Sequence, residues 1–172
     1  VRSVSILRSI ESSFEDDDSP YFRKYRFRKY GLFKLNSKDA GLKVIKEQYL
    51  NAHRPEPFDP AYMDLFNEMF DEFLFYYSRT AAGDAINRSI NLLQDPDSLS
   101  HAILQHPAIH GEEEATFLMI HQAATLYNRS YFRKDAIETI LRRISSDSTH
   151  QYARFSEEVL DKLTRLKPGI EP

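Results

Sequence analysis

Cysteine is absent from the 172-residue sequence, and this excludes a disulfide framework, a cysteine-based zinc site and a thiol nucleophile. Glycine and proline are scarce, with five and eight residues respectively, which argues against a turn-rich all-β fold and a glycine-rich phosphate loop. No apolar run approaches the roughly 18 residues that a membrane-spanning helix needs. We therefore expect a chain that buries its own core without metal or disulfide support.

The formal net charge is −3, but the charged residues are unevenly distributed along the chain. Residues 1–58 contain 12 basic and 8 acidic residues, residues 59–128 contain 2 and 11, and residues 129–172 contain 9 and 7. The chain is thus basic, then strongly acidic, then basic again. A protein that binds nucleic acid along its whole length would not alternate in this way.

Helical periodicity dominates the sequence and predicts an all-α protein, a bundle or short array of about seven helices joined by short loops. Two helices begin with an Asp-Pro pair, at 59–60 and 95–96, where aspartate caps the helix and proline takes its first position. Ser37 and Ser156 are predicted to cap two further helices, the second with a hydrophobic staple from Phe155. The predicted helices cover about 37–52, 60–78, 81–94, 95–106, 112–128, 131–145 and 156–167.

Residues 1–36 are expected to form a separate N-terminal part, and residues 37–172 a helical domain. The first fourteen residues are serine-rich and place four apolar side chains at helical spacing, Val4, Leu7, Ile10 and Phe14. An ordinary first helix is the preferred interpretation, and an organellar transit peptide, which has a similar composition, is the alternative. We expect an intracellular protein, with the mitochondrial matrix or a membrane-associated complex slightly favoured over the cytoplasm.

A basic-aromatic strip in the N-terminal part is expected to be extended and to bind a partner. It consists of Tyr21, Phe22, Arg23, Lys24, Tyr25, Arg26, Phe27, Arg28, Lys29 and Tyr30. Three interpretations compete for it. The strip binds RNA through phosphate contacts and base stacking, lies on an anionic membrane surface, or packs against acidic and aromatic protein surface.

A second aromatic cluster lies in the acidic middle of the chain and favours the packing interpretation. Of 22 aromatic residues, seven lie in residues 1–35 and eight in residues 58–77. Segments of opposite charge that are both rich in aromatic residues are natural partners, within one chain, between chains, or both. From this acidic-aromatic helix we expect partner-binding residues at Phe70, Phe73, Phe75, Tyr76 and Tyr77.

Candidate catalytic and metal-binding residues are few. His101, His106, His110 and His121 lie near three consecutive glutamates, but Pro107 breaks the helix that would align two of them, so no metal or other cofactor is expected. Arg143 and His150, separated by six residues, resemble the Arg-x(4–6)-His element of helical HEPN-type ribonucleases. That resemblance implies a nuclease in which these two residues carry out cleavage.

The preferred function is a non-catalytic helical interaction protein, a structural or accessory subunit of a larger protein assembly, with an organellar assembly as one alternative. Its expected partners are other protein subunits. We expect this chain to have no membrane span and no small-molecule substrate. The alternative is an RNA-binding helical module that uses the segment 21–34. A HEPN-like ribonuclease is the third hypothesis.

Overall fold

The computed structural model describes residues 5, 8, 12, 19–38, 40–50, 55–129 and 131–165. These residues form helices joined by turns and contain no strand, so the predicted all-α class is confirmed. They fall into two compact units, the first within 1–52 and 56–71, the second within 53–55 and 72–172. The predicted division between residues 36 and 37 stays a prediction. The four apolar positions of the predicted first helix lie outside the described residues.

The first unit is built around three helical segments of its described part. Helix α1 spans Pro20–Asn36, α2 spans Leu42–Ile45 and continues as a π-helical turn over Lys46–Leu50, and α3 spans Pro60–Met69. α1 packs against α3 and against the π-helical turn. The Asp59 Oδ1 atom accepts the Tyr62 amide at 2.9 Å, so the predicted Asp-Pro start of this helix is confirmed.

The expectation of an extended basic-aromatic strip is wrong, because residues 21–30 lie within α1. Ser19 caps this helix by accepting the Phe22 N–H at 3.2 Å, and Pro20 takes the first helical position. Basic and aromatic side chains occupy all faces of α1, so the sequence lacks the one-sided apolar stripe that marks an amphipathic helix. Ser37 lies at the end of α1 instead of capping the next helix, and Gly41 precedes α2.

Gly31 allows α1 to pack closely within the first unit. A Cβ atom at this position would lie 2.6 Å from Cγ of Tyr49 and 3.1 Å from Cδ2 of Leu65. Both neighbours are buried, so neither can move aside without disturbing the packing around it. The basic-aromatic strip is therefore held against α3 and the π-helical turn by close backbone approach as well as by charge.

The predicted single helix over 60–78 is wrong, because the chain leaves helical geometry after Met69. Phe70 has φ −112° and Glu72 has φ 50°, in the left-handed region, before helix α4 begins at Phe73. No glycine or proline marks this break. The apolar residues keep their helical spacing across it, so periodicity alone predicts one continuous helix.

The second unit contains the remaining described helices. They are α4 (Phe73–Tyr77), α5 (Asp84–Arg88), α6 (Pro96–Leu104), α7 (Glu112–Asn128), α8 (Lys134–Ser146) and α9 (Ala153–Arg165), with a 3₁₀ turn at Ala81–Gly83 and a π-helical turn at Ser89–Leu93. Asp95 caps α6 by accepting the Ser98 amide at 2.9 Å, as predicted. α7 is buried without interruption from Glu114 to Ile120 and packs against α4, α6, α8 and α9, so it forms the centre of this unit.

The predicted start of the last helix is wrong. α9 begins at Ala153, and Ser156 lies inside it, fully buried, where its hydroxyl donates to the Leu141 carbonyl oxygen at 2.9 Å. Phe155 stacks on Phe117 with ring centroids 5.7 Å apart. The serine and the phenylalanine thus join α9 to two neighbouring helices, a tertiary role that local capping rules do not predict.

Candidate functional site

Arg28 is the most deeply buried cation of the basic-aromatic strip, with 4% of its surface exposed. Its Nη2 atom donates to Glu56 Oε1 at 2.8 Å and its Nη1 atom donates to Asp59 Oδ2. The guanidinium also lies over the Tyr62 ring, 5.1 Å from its centroid. One arginine therefore joins α1 to both carboxylates that precede α3.

The lysines of the strip also have carboxylate partners in the same unit. Lys24 pairs with Glu56 and lies 3.9 Å from Asp59, and Lys29 pairs with Asp64. Arg26 lies over the Phe22 ring at 5.9 Å, and Lys34, which follows the strip, lies over the rings of Tyr30 and Tyr49. The acidic residues at 56–64 are thus partners of the strip within the chain.

The aromatic residues of the strip divide between packing and exposure. Phe27 contacts Tyr49 with centroids 4.8 Å apart, and Tyr30 approaches the same ring at 6.4 Å. Phe22 and Tyr25 are half-buried and stack on each other at 6.5 Å. Tyr21 is 63% exposed and Phe27, despite its contact with Tyr49, is 47% exposed; Arg23 and Lys24 are also exposed. The strip is therefore not a continuous surface of stacking platforms for bases.

Acid is expected to weaken the first unit through Glu56. Burial alone would raise the pKa of this carboxyl, but hydrogen bonds from Arg28 and Lys24 outweigh it and hold the pKa below its ordinary value of 4.5. The resulting stabilisation is complete above the unfolded value and is lost as the pH falls through the lower folded value. Urea unfolding at neutral pH and in steps below pH 4.5 measures this loss. Glu56→Gln is expected to flatten the dependence, and an unchanged slope would contradict the assignment.

The five residues predicted for partner binding in the acidic-aromatic helix are separated by the structure. Phe70 is fully buried in the first unit and packs on Phe66 at 4.7 Å. In the second unit, Phe73 and Tyr77 both approach the His106 ring edge-on, at 4.7 and 4.8 Å. These three predicted positions therefore have packing partners within their own unit.

Phe75 and Tyr76 belong to an aromatic–arginine surface that we name the Phe75 cluster, formed by Phe75, Tyr76, Arg79, Arg129 and Tyr131. The Phe75 ring contacts Tyr76 at 5.3 Å and Tyr131 at 5.4 Å, both in T-shaped geometry. The guanidinium groups of Arg79 and Arg129 lie 5.3 and 5.6 Å from the Phe75 centroid. Tyr76 is 60% exposed and Tyr131 is 42% exposed, so the cluster presents aromatic rings to its surroundings.

Arg143 and His150 line one open cleft of about 970 Å³ in the second unit. Arg143 Nη1 lies 3.4 Å from Asp95 Oδ1. His150 Nδ1 accepts the Tyr152 N–H at 3.1 Å, so the neutral ring carries its proton on Nε2 and presents a donor on that side. Five carboxylates line the same cleft, those of Asp95, Asp97, Glu112, Glu113 and Asp147. A phosphodiester entering it would meet predominantly like charge.

The clustered histidines occupy unrelated environments. His101 lines the cleft, His106 packs between two rings, and His110 is exposed. Burial lowers the pKa of His121, which favours a neutral ring inside α7. Within the described ranges, no group of three His, Asp or Glu side chains is placed to hold a metal ion.

The sequence offered no reason to select Phe58, which is 99% exposed. It lies in a β-turn closed by a hydrogen bond from the Asp59 N–H to the Glu56 carbonyl oxygen at 3.1 Å. Pro57 and Pro60 on either side were the only local signal of a constrained segment. The exposure of the ring follows from the fold of the unit, so it could not be read from composition.

No model of a known protein family matches the chain, and neither the curated proteins nor the solved structures with which it was compared give a match. In the described part of the chain, no helix combines the length and the apolar character that crossing a bilayer requires.

Proposed function

We propose that this chain is a non-catalytic helical interaction protein, an accessory subunit that binds another protein through the Phe75 cluster. The observation that carries the proposal is the exposure of Tyr76 and Tyr131 beside two arginines on one surface of the second unit. Tyrosine and arginine are enriched among the few residues that dominate binding energy at protein interfaces. Both side chains offer a large contact area, and each carries a polar group that can form hydrogen bonds with water in the free protein and with a partner in the complex.

The chemistry of the Phe75 cluster favours a partner surface that places a carboxylate beside an apolar side chain. Arg79 and Arg129 both lie over the Phe75 ring and are exposed at the surface, and Arg79 is the one that would receive the partner's carboxylate. Arg129 pairs with Glu72 of the same unit, which holds its guanidinium in place before a partner arrives. Such fixed groups lose little conformational freedom on binding.

RNA binding and RNA cleavage rank below this proposal on physical grounds. The cations of the basic-aromatic strip that RNA would need include Lys24, Arg28 and Lys29, which already pair with carboxylates. Arg143 and His150 do share a cleft, which is the one observation in favour of a nuclease. The five carboxylates around them oppose the approach of a polyanion.

Tyr76→Ala is expected to weaken partner binding by about 30-fold or more, as truncation of an interface hot spot does. Tagged full-length chains are expressed in native cells, and co-purifying proteins are quantified by mass spectrometry. Tyr21→Ala removes a similarly exposed tyrosine from the first unit and should leave the recovered partner unchanged. Tyr76→Phe should retain most of the binding.

Two results would contradict the proposal. One is a wild-type chain that purifies alone as an inert monomer under these conditions. The other is a partner recovered equally with wild type and with Tyr76→Ala, provided that both variants melt at the same temperature. Loss of the partner from Tyr21→Ala as well would indicate general unfolding or a binding surface elsewhere.

A further inference from the structure

The turn that carries Phe58 is held at both ends, and we name residues 56–59 the Phe58 turn. Its first and last residues, Glu56 and Asp59, are joined by the backbone hydrogen bond that closes it. The same two residues receive the two branches of the Arg28 guanidinium. A planar, two-pronged donor fixes the relative position of two carboxylates better than a single ammonium group would.

Further contacts reduce the freedom of the Phe58 turn. Lys24 reaches both carboxylates, and Asp59 caps α3 through the Tyr62 amide. Pro57 precedes Phe58 and restricts the backbone through its ring. Phe58 is not among the described residues with a positive φ, so its backbone avoids the left-handed region. The turn therefore holds its shape while its aromatic side chain has almost no contact with the chain.

We propose that the Phe58 turn is an anchor that inserts the Phe58 ring into an apolar pocket of a partner protein. A fully exposed phenylalanine gains free energy by leaving water, and a turn that is already ordered loses little entropy on binding. The charges beside the ring, Glu56 and Asp59 against Lys24 and Arg28, balance one another. That balance fits a pocket with an uncharged mouth and gives no attraction to nucleic acid or to an anionic bilayer.

The inference rests on the proposed function, since it needs a protein partner, but it concerns a different surface in a different unit. It is tested by replacing Phe58 with photoreactive p-benzoylphenylalanine in the full chain and irradiating native cells. The same group is placed at Tyr76, in the Phe75 cluster, and at Val44, a 52% exposed position of the first unit. We expect covalent protein adducts at 58 and 76 and only background at 44.

Substitutions at Phe58 and at Pro57 distinguish specific insertion of the ring into a pocket from a non-specific hydrophobic contact. In chains without the photoreactive residue, Phe58→Ala is expected to reduce co-purification of the protein identified by cross-linking about 30-fold, and Phe58→Leu should restore part of it. Pro57→Gly keeps the ring but loosens the turn, so recovery should fall by about two- to fivefold. An unspecific contact of the ring would be insensitive to the second change.

The outcomes distinguish this inference from the proposed function. An adduct at 76 with none at 58, or equal adducts at 58 and 44, overturns the anchor and leaves the Phe75 cluster as the binding surface. A lipid or RNA adduct at 58 overturns it in favour of a different class of ligand. Absence of protein adducts at both 58 and 76 overturns both proposals.

Discussion

Arg28→Met is expected to destabilise the first unit by about 2–4 kcal/mol. The substitution keeps most of the apolar stem but removes the guanidinium that bonds Glu56 and Asp59. The side chain of Asp59 is only 14% exposed, so its charge is left largely desolvated and without its strongest partner. Glu56 is 34% exposed and recovers part of its hydration, which keeps the expected loss below that of a fully buried pair. Urea unfolding followed by far-UV circular dichroism measures the change.

Lys29→Met on the same helix is the matched control for Arg28→Met. The Lys29–Asp64 pair is exposed on both sides, at 36% and 49%, so its loss should change stability by no more than about 1 kcal/mol. Adding Asp59→Asn to Arg28→Met should recover part of the stability, because the more buried carboxylate is neutralised while asparagine can still cap α3. Equal effects of Arg28→Met and Lys29→Met would refute the buried ion pair as a main contributor to this unit.

Gly83→Ala is expected to destabilise the second unit by about 3 kcal/mol. A Cβ atom at Gly83 would lie 1.9 Å from the Tyr77 carbonyl oxygen and 2.9 Å from Cα of Ser78. These are backbone atoms, so no side-chain rotation relieves the clash. The Gly83 N–H also donates to Thr80 Oγ1 at 3.1 Å, and moving the turn would break this bond. The dihedral angles of Gly83, φ −89° and ψ 2°, are accessible to alanine, so the loss is steric.

Gly111→Ala provides the comparison for Gly83→Ala within the same unit. A Cβ atom at Gly111 meets nothing within 4 Å, and φ −175° is ordinary extended backbone. This change should stay within about 0.5 kcal/mol. Thermal unfolding of both variants, with hydrogen exchange to locate the destabilised residues, separates the two cases. Similar melting temperatures for both variants would show that the backbone of the turn after α4 can shift to accommodate a Cβ atom at position 83, and would contradict the predicted clash.

The part of the fold that sequence predicts is the part that depends on local chemistry. The Asp-Pro pairs at 59–60 and 95–96 start helices because the carboxylate reaches an amide three residues ahead. Ser19-Pro20 is the same kind of signal, but the residues that follow it form no one-sided apolar stripe, so periodicity does not predict a helix there. The burial of Ser156 depends on a contact between helices, and no glycine or proline marks the break at Glu72, so no local pattern encodes either feature.

The candidate surfaces were predicted in part. Opposite charge correctly indicated that the basic-aromatic strip has partners in the acidic middle of the chain, at Asp59 and Asp64; its further partner Glu56 lies in the basic first part and was not indicated. Its role in binding another molecule stays a prediction. The arginines that complete the Phe75 cluster come from outside α4, and the exposure of Phe58 depends on the folded unit. Neither follows from spacing along the sequence.

The double contact of Arg28 has an evolutionary consequence. Lysine cannot bond two carboxylates with the same fixed geometry, so a change at 28 removes the reason to keep acids at both 56 and 59. The three positions should therefore substitute together among homologous chains, as a co-varying triplet. An arginine followed 28 residues later by Glu-Pro-x-Asp-Pro is then a search pattern for distant homologues whose remaining sequence has diverged beyond overall similarity.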